Sequence, residues 1–331
     1  LMNPQNGEIL AIDLHTLSNT GAYGEHGSTT VGLSGHKSLP IYNHMLASRF
    51  HFDVVYTNTM QAGAYRGYGA TQGQFAVESA VNELAEALHL DPCELRFMNM
   101  VKEGEVMPQY YGEQLNACAL DRCLKKAMDM IGWKEKGIVR DMGDKMRGLG
   151  VALSMQGSGI ANVDIASVII KLQDDGFYTL AIGATDMGTG CDTILAQMAA
   201  ECLECDVDQI VTQGVDTDAS PYDTGSYASA TTYVTGMSVV KACEVLKKQI
   251  IEEAAVLMEV EKEHISFDGK KIYAIEDGKE MSLSDFANIC FAGGKGACLI
   301  ANASHCSPTS PPPFMAGIAE VDVDKLTGEI T

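Results

Sequence analysis

Gln61-Ala62-Gly63-Ala64-Tyr65-Arg66-Gly67-Tyr68-Gly69-Ala70-Thr71-Gln72 is the stretch on which the reading of this chain turns. It leaves a strand that ends at Thr57-Asn58 and enters a helix over 74–88, where Val77, Val81, Leu84, Ala85 and Leu88 recur at helical spacing before Leu90-Asp91-Pro92 stops it. Glycines at 67 and 69 let the backbone turn sharply and approach a ligand closely. Arg66, always charged and fork-shaped, is expected to point toward the helix N-terminus, a place that favours anions. Tyr65 and Tyr68 flank it with flat apolar faces, although an aromatic at a strand end also serves as ordinary core.

Two further junctions repeat the design. Ala184-Thr185-Asp186-Met187-Gly188-Thr189-Gly190-Cys191-Asp192-Thr193 passes from a strand into a helix over 191–203. Free N–H groups over 188–193, with the hydroxyls of Thr189 and Thr193, are expected to form a phosphate cradle, while Gly-Thr-Gly standing alone would read as a tight strand-to-helix turn. The third runs from Asp216 to Tyr233 through Gly225-Ser226-Tyr227-Ala228-Ser229-Ala230-Thr231 and opens a long helix over 237–260. Its small residues and dense hydroxyls let a polar ligand lie against the backbone, where a lone Ser/Thr cluster would be a capped loop. Three junctions aimed at helix N-termini point to one large anionic cofactor.

Composition limits the alternatives. The 331 residues are 46% hydrophobic and 20% charged, enough for two domains with substantial cores. With 23 Lys plus Arg against 44 Asp plus Glu, the net charge of −21 repels nucleic acid. No apolar run approaches the roughly 20 residues of a spanning helix, and the first residues do not read as a signal peptide, so a soluble cytoplasmic protein without membrane partners is expected. The ten cysteines are scattered and read as buried free thiols, even at Cys202 and Cys205. The eight histidines show no HExxH or other ligand spacing, so no side chain is expected to hold a metal.

Strand-rich stretches alternate with helices. Asn6-Gly7 marks a hairpin turn before a strand over 8–17; a strand over 315–323 turns at 324–328 and returns only through Glu329-Ile330-Thr331. Hairpins that short leave edge groups unpaired, and a second polypeptide is expected to complete both sheets. A helix is expected over 120–131, a hairpin around Asp174-Asp175-Gly176, a charged hairpin over 265–275 and a helix capped near Ser282 and Ser284. The charged, glycine-interrupted segment 134–147 reads as a surface link. The expected division is a first subdomain over 1–133 and a second over 148–331, in an α+β protein with mixed and antiparallel sheets and packed helices, not a Rossmann sheet.

Ala64-Tyr65-Arg66-Gly67-Tyr68-Gly69-Ala70-Thr71-Gln72 resembles the Phe-Arg-Gly-Phe-Gly-x-x-Gln motif of the xanthine dehydrogenase-type molybdenum hydroxylases. Asp186-Met187-Gly188-Thr189-Gly190 is similar to the family's Glu-Met-Gly-Gln-Gly segment, with Thr189 replacing the glutamine, and Gly225-Ser226-Tyr227-Ala228-Ser229-Ala230-Thr231 to its small-residue pterin loop. The resemblance implies two subdomains of a molybdopterin-binding domain. It implies that Met187, Gly188, Thr189, Gly190, Asp192 and Thr193, with Ser226, Tyr227, Ala228, Ser229 and Thr231, hold the pterin and its phosphates. Arg66, Gly67 and Gly69 would also contact the cofactor, with Arg66 acting beside the molybdenum, while Tyr68 and Tyr65 would face a flat heteroaromatic substrate.

The implied reaction is hydroxylation of a ring carbon next to nitrogen, with water as oxygen source and a glutamate base. In complete members that base lies in a Gly-x-Gly-Glu motif, which this sequence lacks. The resemblance therefore implies a larger molybdopterin subunit carrying the glutamate, plus an FAD subunit and an iron-sulfur subunit with [2Fe-2S] clusters. The split arrangement is similar to bacterial nicotinate dehydrogenases, which implies nicotinate converted to 6-hydroxynicotinate, molybdopterin cytosine dinucleotide with a selenium terminal ligand, and NADP as acceptor. The competing readings are a noncatalytic scaffold whose junctions no longer hold a cofactor, and a hydroxylase for another purine or N-heterocycle. A self-sufficient hydrolase lacks a Gly-x-Ser-x-Gly elbow.

Overall fold

A computed structural model describes residues 1–276, 278–293 and 296–331. It divides into two compact units, one of residues 1–157 with 311–331 and one of residues 158–310.

In the first unit, β1 (Ala11–Gly21) lies parallel to β2 (Ala47–Tyr56), and α1 (Gly27–His36) packs against both. Parallel strands need such a crossover because a tight turn reverses direction. Next come α2 (Ala70–Ala87), α3 (Pro92–Asn99), the ribbon β3 (Val106–Met107) with β4 (Glu113–Gln114), α4 (Leu120–Ile131), α5 (Trp133–Lys136), and the antiparallel pair β5 (Val139–Asp141) and β6 (Lys145–Met155). Asp91 caps α3 by accepting from the N–H groups of Cys93 and Glu94 at 2.7 and 3.3 Å, with Pro92 in the first turn. Gly132, left-handed at φ +71°, ends α4.

The second unit contains β7 (Ile165–Leu172), β8 (Tyr178–Ile182), α6 (Cys191–Leu203), β9 (Ile210–Gln213), α7 (Gly236–Met258), β10 (Ile265–Phe267), β11 (Lys271–Ala274), β12 (Glu280–Ser282), α8 (Leu283–Ala292) and β13 (Ile300–Cys306). Its main sheet has the order β13-β7-β8-β9, antiparallel except for β8 with β9. Ala166, Val168, Ile170 and Leu172 alternate inward along β7, while α7 buries Val239, Ala242, Cys243, Leu246, Ile250 and Ala254 at helical spacing. The ends of this unit meet, since the Ser158 N–H donates to Ser310 Oγ at 3.3 Å.

The chain then returns to the first unit as β14 (Phe314–Asp324), antiparallel to β6 from Phe314↔Met155 to Asp324↔Lys145. The expected α+β class holds. The division does not follow the expected cut at 134–147, because those residues form α5, β5 and the start of β6, paired with the distant β14. The terminal hairpins also close within this chain: Met2 bridges Ile9, and Asp322 and Thr331 exchange two backbone hydrogen bonds of 2.8 and 2.9 Å. The thiols divide differently from expectation, with Cys123, Cys298 and Cys306 exposed and Cys202 and Cys205 half-buried. No helix among the described residues is long and apolar enough to cross a membrane.

Candidate cofactor-binding site

The first junction is held by backbone geometry. Gly67, Tyr68 and Gly69 all take positive φ, at +97°, +33° and +86°, and the Tyr68 and Ala70 N–H groups each close a turn at 2.8 Å onto Tyr65 O and Gly67 O. A side chain on Gly69 would run into the Thr30 carbonyl oxygen, and one on Gly73 into that of Ser34. The Gly69 backbone thus packs closely on α1. Tyr68 is half-buried and its hydroxyl lies 2.6 Å from His26 Nδ1, with the rings edge to face. Arg66 and Tyr65 are exposed at the mouth of α2.

The second junction carries a correction. Asp186 Oδ1 accepts from the N–H groups of Gly188, Thr189 and Gly190 at 2.8, 3.0 and 3.1 Å, so these donors are not free. Those bonds, the one from Gly188 foremost, hold the Asp186 carboxyl below its ordinary value. The donor oxygens of Asp186 and Asp192 and the Cys191 sulfur lie within 4.8 Å of one another. Burial, then Asp192 and Asp186, push the Cys191 thiol up to about 11. Gly188 at φ +97° and Gly190 at φ +74° face open space, and Met187, Thr189, Asp192 and Thr193 are exposed around them.

The third junction stores backbone strain. Ala228 and Ser229 sit in the left-handed region at φ 54° and 62°, which non-glycine residues adopt at a cost of about 1–3 kcal/mol each. Asp223 fixes the loop from both sides, accepting from the Gly225 N–H and the Thr235 hydroxyl at 2.8 Å each. The Thr231 hydroxyl donates to Ser226 Oγ at 3.0 Å, and Gly159 N–H to Ala228 O at 2.8 Å. A π-helical turn, Thr231–Thr235, intervenes before α7, a local widening common at functional sites. Tyr227, Ala228 and Ser229 are exposed, and Ser226 and Thr231 half-buried.

Within the second unit, both expected loops therefore lead into mutually packed helices, α6 and α7. Sequence reasoning missed the anchors. Asp186 gave a signal, an Asp two residues before a glycine turn; Asp164, fully buried and accepting from the Ile160 N–H at 2.7 Å, gave none. His26 lies far along the chain from its partner Tyr68.

A family described as "Molybdopterin cofactor-binding domain" matches residues 124–331, and a second of the same description matches residues 4–100. The chain belongs to the molybdopterin cofactor-binding family. It is 33% identical to the xanthine dehydrogenase molybdenum-binding subunit of Escherichia coli O157:H7, over 99% of this chain and 44% of that protein. Its fold matches CO dehydrogenase from Oligotropha carboxidovorans with a TM-score of 0.84 at 23% identity, covering 99% of this chain and 44% of that one. Aldehyde oxidoreductase from Desulfovibrio desulfuricans ATCC 27774 matches at 0.75 and 27% identity, covering 99% and 34%. The chain thus spans less than half the length of these relatives.

The residues of the second unit fit such a group. Open space beside Gly188 and Gly190 leaves room for a flat ligand against the backbone, and Tyr227, Ala228 and Ser229 are exposed. The fit relies on hydroxyls and on the first turn of α6, since Asp186 occupies the glycine N–H groups.

Proposed function

We propose that this chain supplies cofactor-holding and substrate-facing residues to a molybdenum hydroxylase acting on an N-heteroaromatic compound. The observation that carries the reading is the family match over both units, residues 4–100 and 124–331. When bound, the molybdenum-pterin group supplies the oxidising centre that accepts two electrons from the substrate.

This chain's own residues bind and orient. In the second unit, Met187, Gly188, Thr189, Gly190, Asp192 and Thr193 form one wall for the pterin and its phosphates, and Ser226, Tyr227, Ala228, Ser229 and Thr231 form another. Gly188 and Gly190 leave room for the ligand plane, and the Thr189 and Thr193 hydroxyls donate to it. In the first unit, Arg66 offers a permanent cation with fork-shaped donors at a helix N-terminus, suited to oxyanion character. Gly67 and Gly69 set its turn. Tyr68, oriented by His26, presents a ring for stacking on a flat substrate, with Tyr65 beside it.

The finer reading is conversion of nicotinate to 6-hydroxynicotinate, with molybdopterin cytosine dinucleotide, a selenium terminal ligand and NADP as final acceptor. A larger molybdopterin chain bearing the glutamate base, an FAD subunit and an iron-sulfur subunit complete it. Support for the molybdenum part of this reading comes from the 33% identity to a xanthine dehydrogenase molybdenum-binding subunit. The test is to purify the complex, measure molybdenum, selenium and cytosine nucleotide per chain, and assay nicotinate, xanthine and quinoline in oxygen-18 water. Stoichiometric molybdenum and label in 6-hydroxynicotinate are expected. A stoichiometric complex without molybdenum or nucleotide would establish the scaffold reading instead.

A further inference from the structure

We propose that Cys202 and Cys243 are a modification site, a thiol pair that a hydroperoxide converts to a reversible disulfide between α6 and α7, with Cys202 attacked first. The pair is independent of which substrate the complex oxidises.

The placement of the two sulfurs carries it. Cys202 lies in the last turn of α6, and its thiol donates to the Val240 carbonyl oxygen at 3.8 Å. Val240 precedes Cys243 by one turn of α7, so Cys202 rests on the face where Cys243 emerges. Cys243 belongs to the apolar core that α6 and α7 share, and Cys202 packs against that same core. Their exposure differs: Cys243 is fully buried, while Cys202 lines an open groove of about 640 Å³ with Gln197, Glu201, Thr232 and Val240. A small reagent reaches Cys202 and finds Cys243 behind it.

The electrostatics agree with this order of events. The neighbouring Cys243 holds the Cys202 thiol below its ordinary value, with Lys247 contributing, while Cys202 and burial raise that of Cys243. Thiolate is the nucleophilic form of cysteine. Neighbouring Cys205, half-buried, is pushed up to about 11, chiefly by burial.

The chemistry balances. The Cys202 thiolate attacks the terminal peroxide oxygen, the O–O bond breaks, and the departing hydroxide or alkoxide takes a proton, leaving Cys202 as a sulfenic acid. The Cys243 sulfur then attacks the Cys202 sulfur, the S–O bond breaks, and hydroxide departs with the Cys243 proton as water. Two thiols lose two electrons in all, and the hydroperoxide is reduced by two. A dithiol reverses the bridge.

The test treats the purified holoenzyme with stepwise hydrogen peroxide, blocks remaining thiols under denaturing conditions, and maps non-reduced peptides by mass spectrometry. The expected first disulfide links Cys202 to Cys243, both thiols disappear together, and dithiothreitol restores both. Cys202→Ser should abolish the linked peptide and slow the loss of the Cys243 thiol at least tenfold, whereas Cys205→Ser should leave the link intact. Oxidation of Cys202 to sulfinic acid with Cys243 still free, a Cys202–Cys205 link, or an unreactive Cys202 would each overturn the proposal. Connectivity is read on the unmodified sequence, so the result does not depend on a variant folding.

Discussion

Arg96 and Glu78 meet out of reach of water: Arg96 Nη2 lies 2.7 Å from Glu78 Oε2, with side chains 0% and 5% exposed. The same carboxylate accepts from Arg96 Nε at 3.0 Å, the Leu153 N–H at 2.6 Å and the Tyr42 hydroxyl at 2.5 Å. The network ties α2, which begins beside Arg66, to α3 and β6. Arg96→Met strands a buried carboxylate and should lower the unfolding free energy by about 3–5 kcal/mol, with much of the loss recovered in a Glu78→Met, Arg96→Met double variant. Urea unfolding of the three variants checks this, and a single-variant loss below about 1 kcal/mol would show that packing alone holds these elements.

Gly69 and Gly188 differ in what an added side chain would meet. Gly69→Ala combines a φ of +86° with a clash into Thr30 O, so it should cost well over about 1 kcal/mol and loosen α2 from α1. Gly188→Ala shares the positive φ, at +97°, but meets open space. It should cost only about 1 kcal/mol of stability and still reduce molybdenum content several-fold. Thermal unfolding and metal analysis on the same preparations read both effects.

Asp186 should imprint a pH dependence on the second unit. Its folded carboxyl is held below the ordinary 3.8 by the Gly188, Gly190 and Thr189 N–H groups. The stabilisation is therefore present above that value and lost as pH falls through the depressed folded one. Asp186→Asn should be less stable than the parent at neutral pH, and the gap should close in acid. A gap that stayed constant from neutral pH into strong acid would remove the charge from the account.

His36 and Lys37 give a dependence of the same sign at higher pH in the first unit. Burial lowers His36 to about 4 and Lys37 to about 8, while the Lys37 ammonium donates to the Tyr110 hydroxyl at 3.1 Å. Between about 4 and the unperturbed 6.5 the unfolded chain holds a His36 proton that the folded chain lacks, so stability should rise with pH across that window. The corresponding rise for Lys37 lies between about 8 and 10.5. His36→Gln should flatten the acid slope in unfolding measured from pH 4 to 7.

Elements with local signals were legible. α4 and α6 carry their apolar spacing within one segment, and their observed bounds, Leu120–Ile131 and Cys191–Leu203, agree with expectation. The start of β6 was not legible, because Lys145, Arg147 and Gly148 look like a loop until their partners Asp324, Asp322 and Val321 arrive far along the chain. The parallel β1–β2 pair is invisible for the same reason. At the second junction, Gly-Thr-Gly announced a turn with outward donors, but competition from the Asp186 side chain for those donors requires coordinates to see.

The contact between Ser158 and Ser310 bears on the order in which this polypeptide acquires its shape. The ladder of β6 with β14 spans the entire intervening unit, and closing so long a loop from a disordered chain carries an entropic penalty. A segment already collapsed, with entry and exit side by side, hands the late strand over almost free of that penalty. Vectorial synthesis would thus finish the middle of the sequence before its beginning, and pulse-labelled hydrogen exchange during refolding should show β7 and α7 protected ahead of β6.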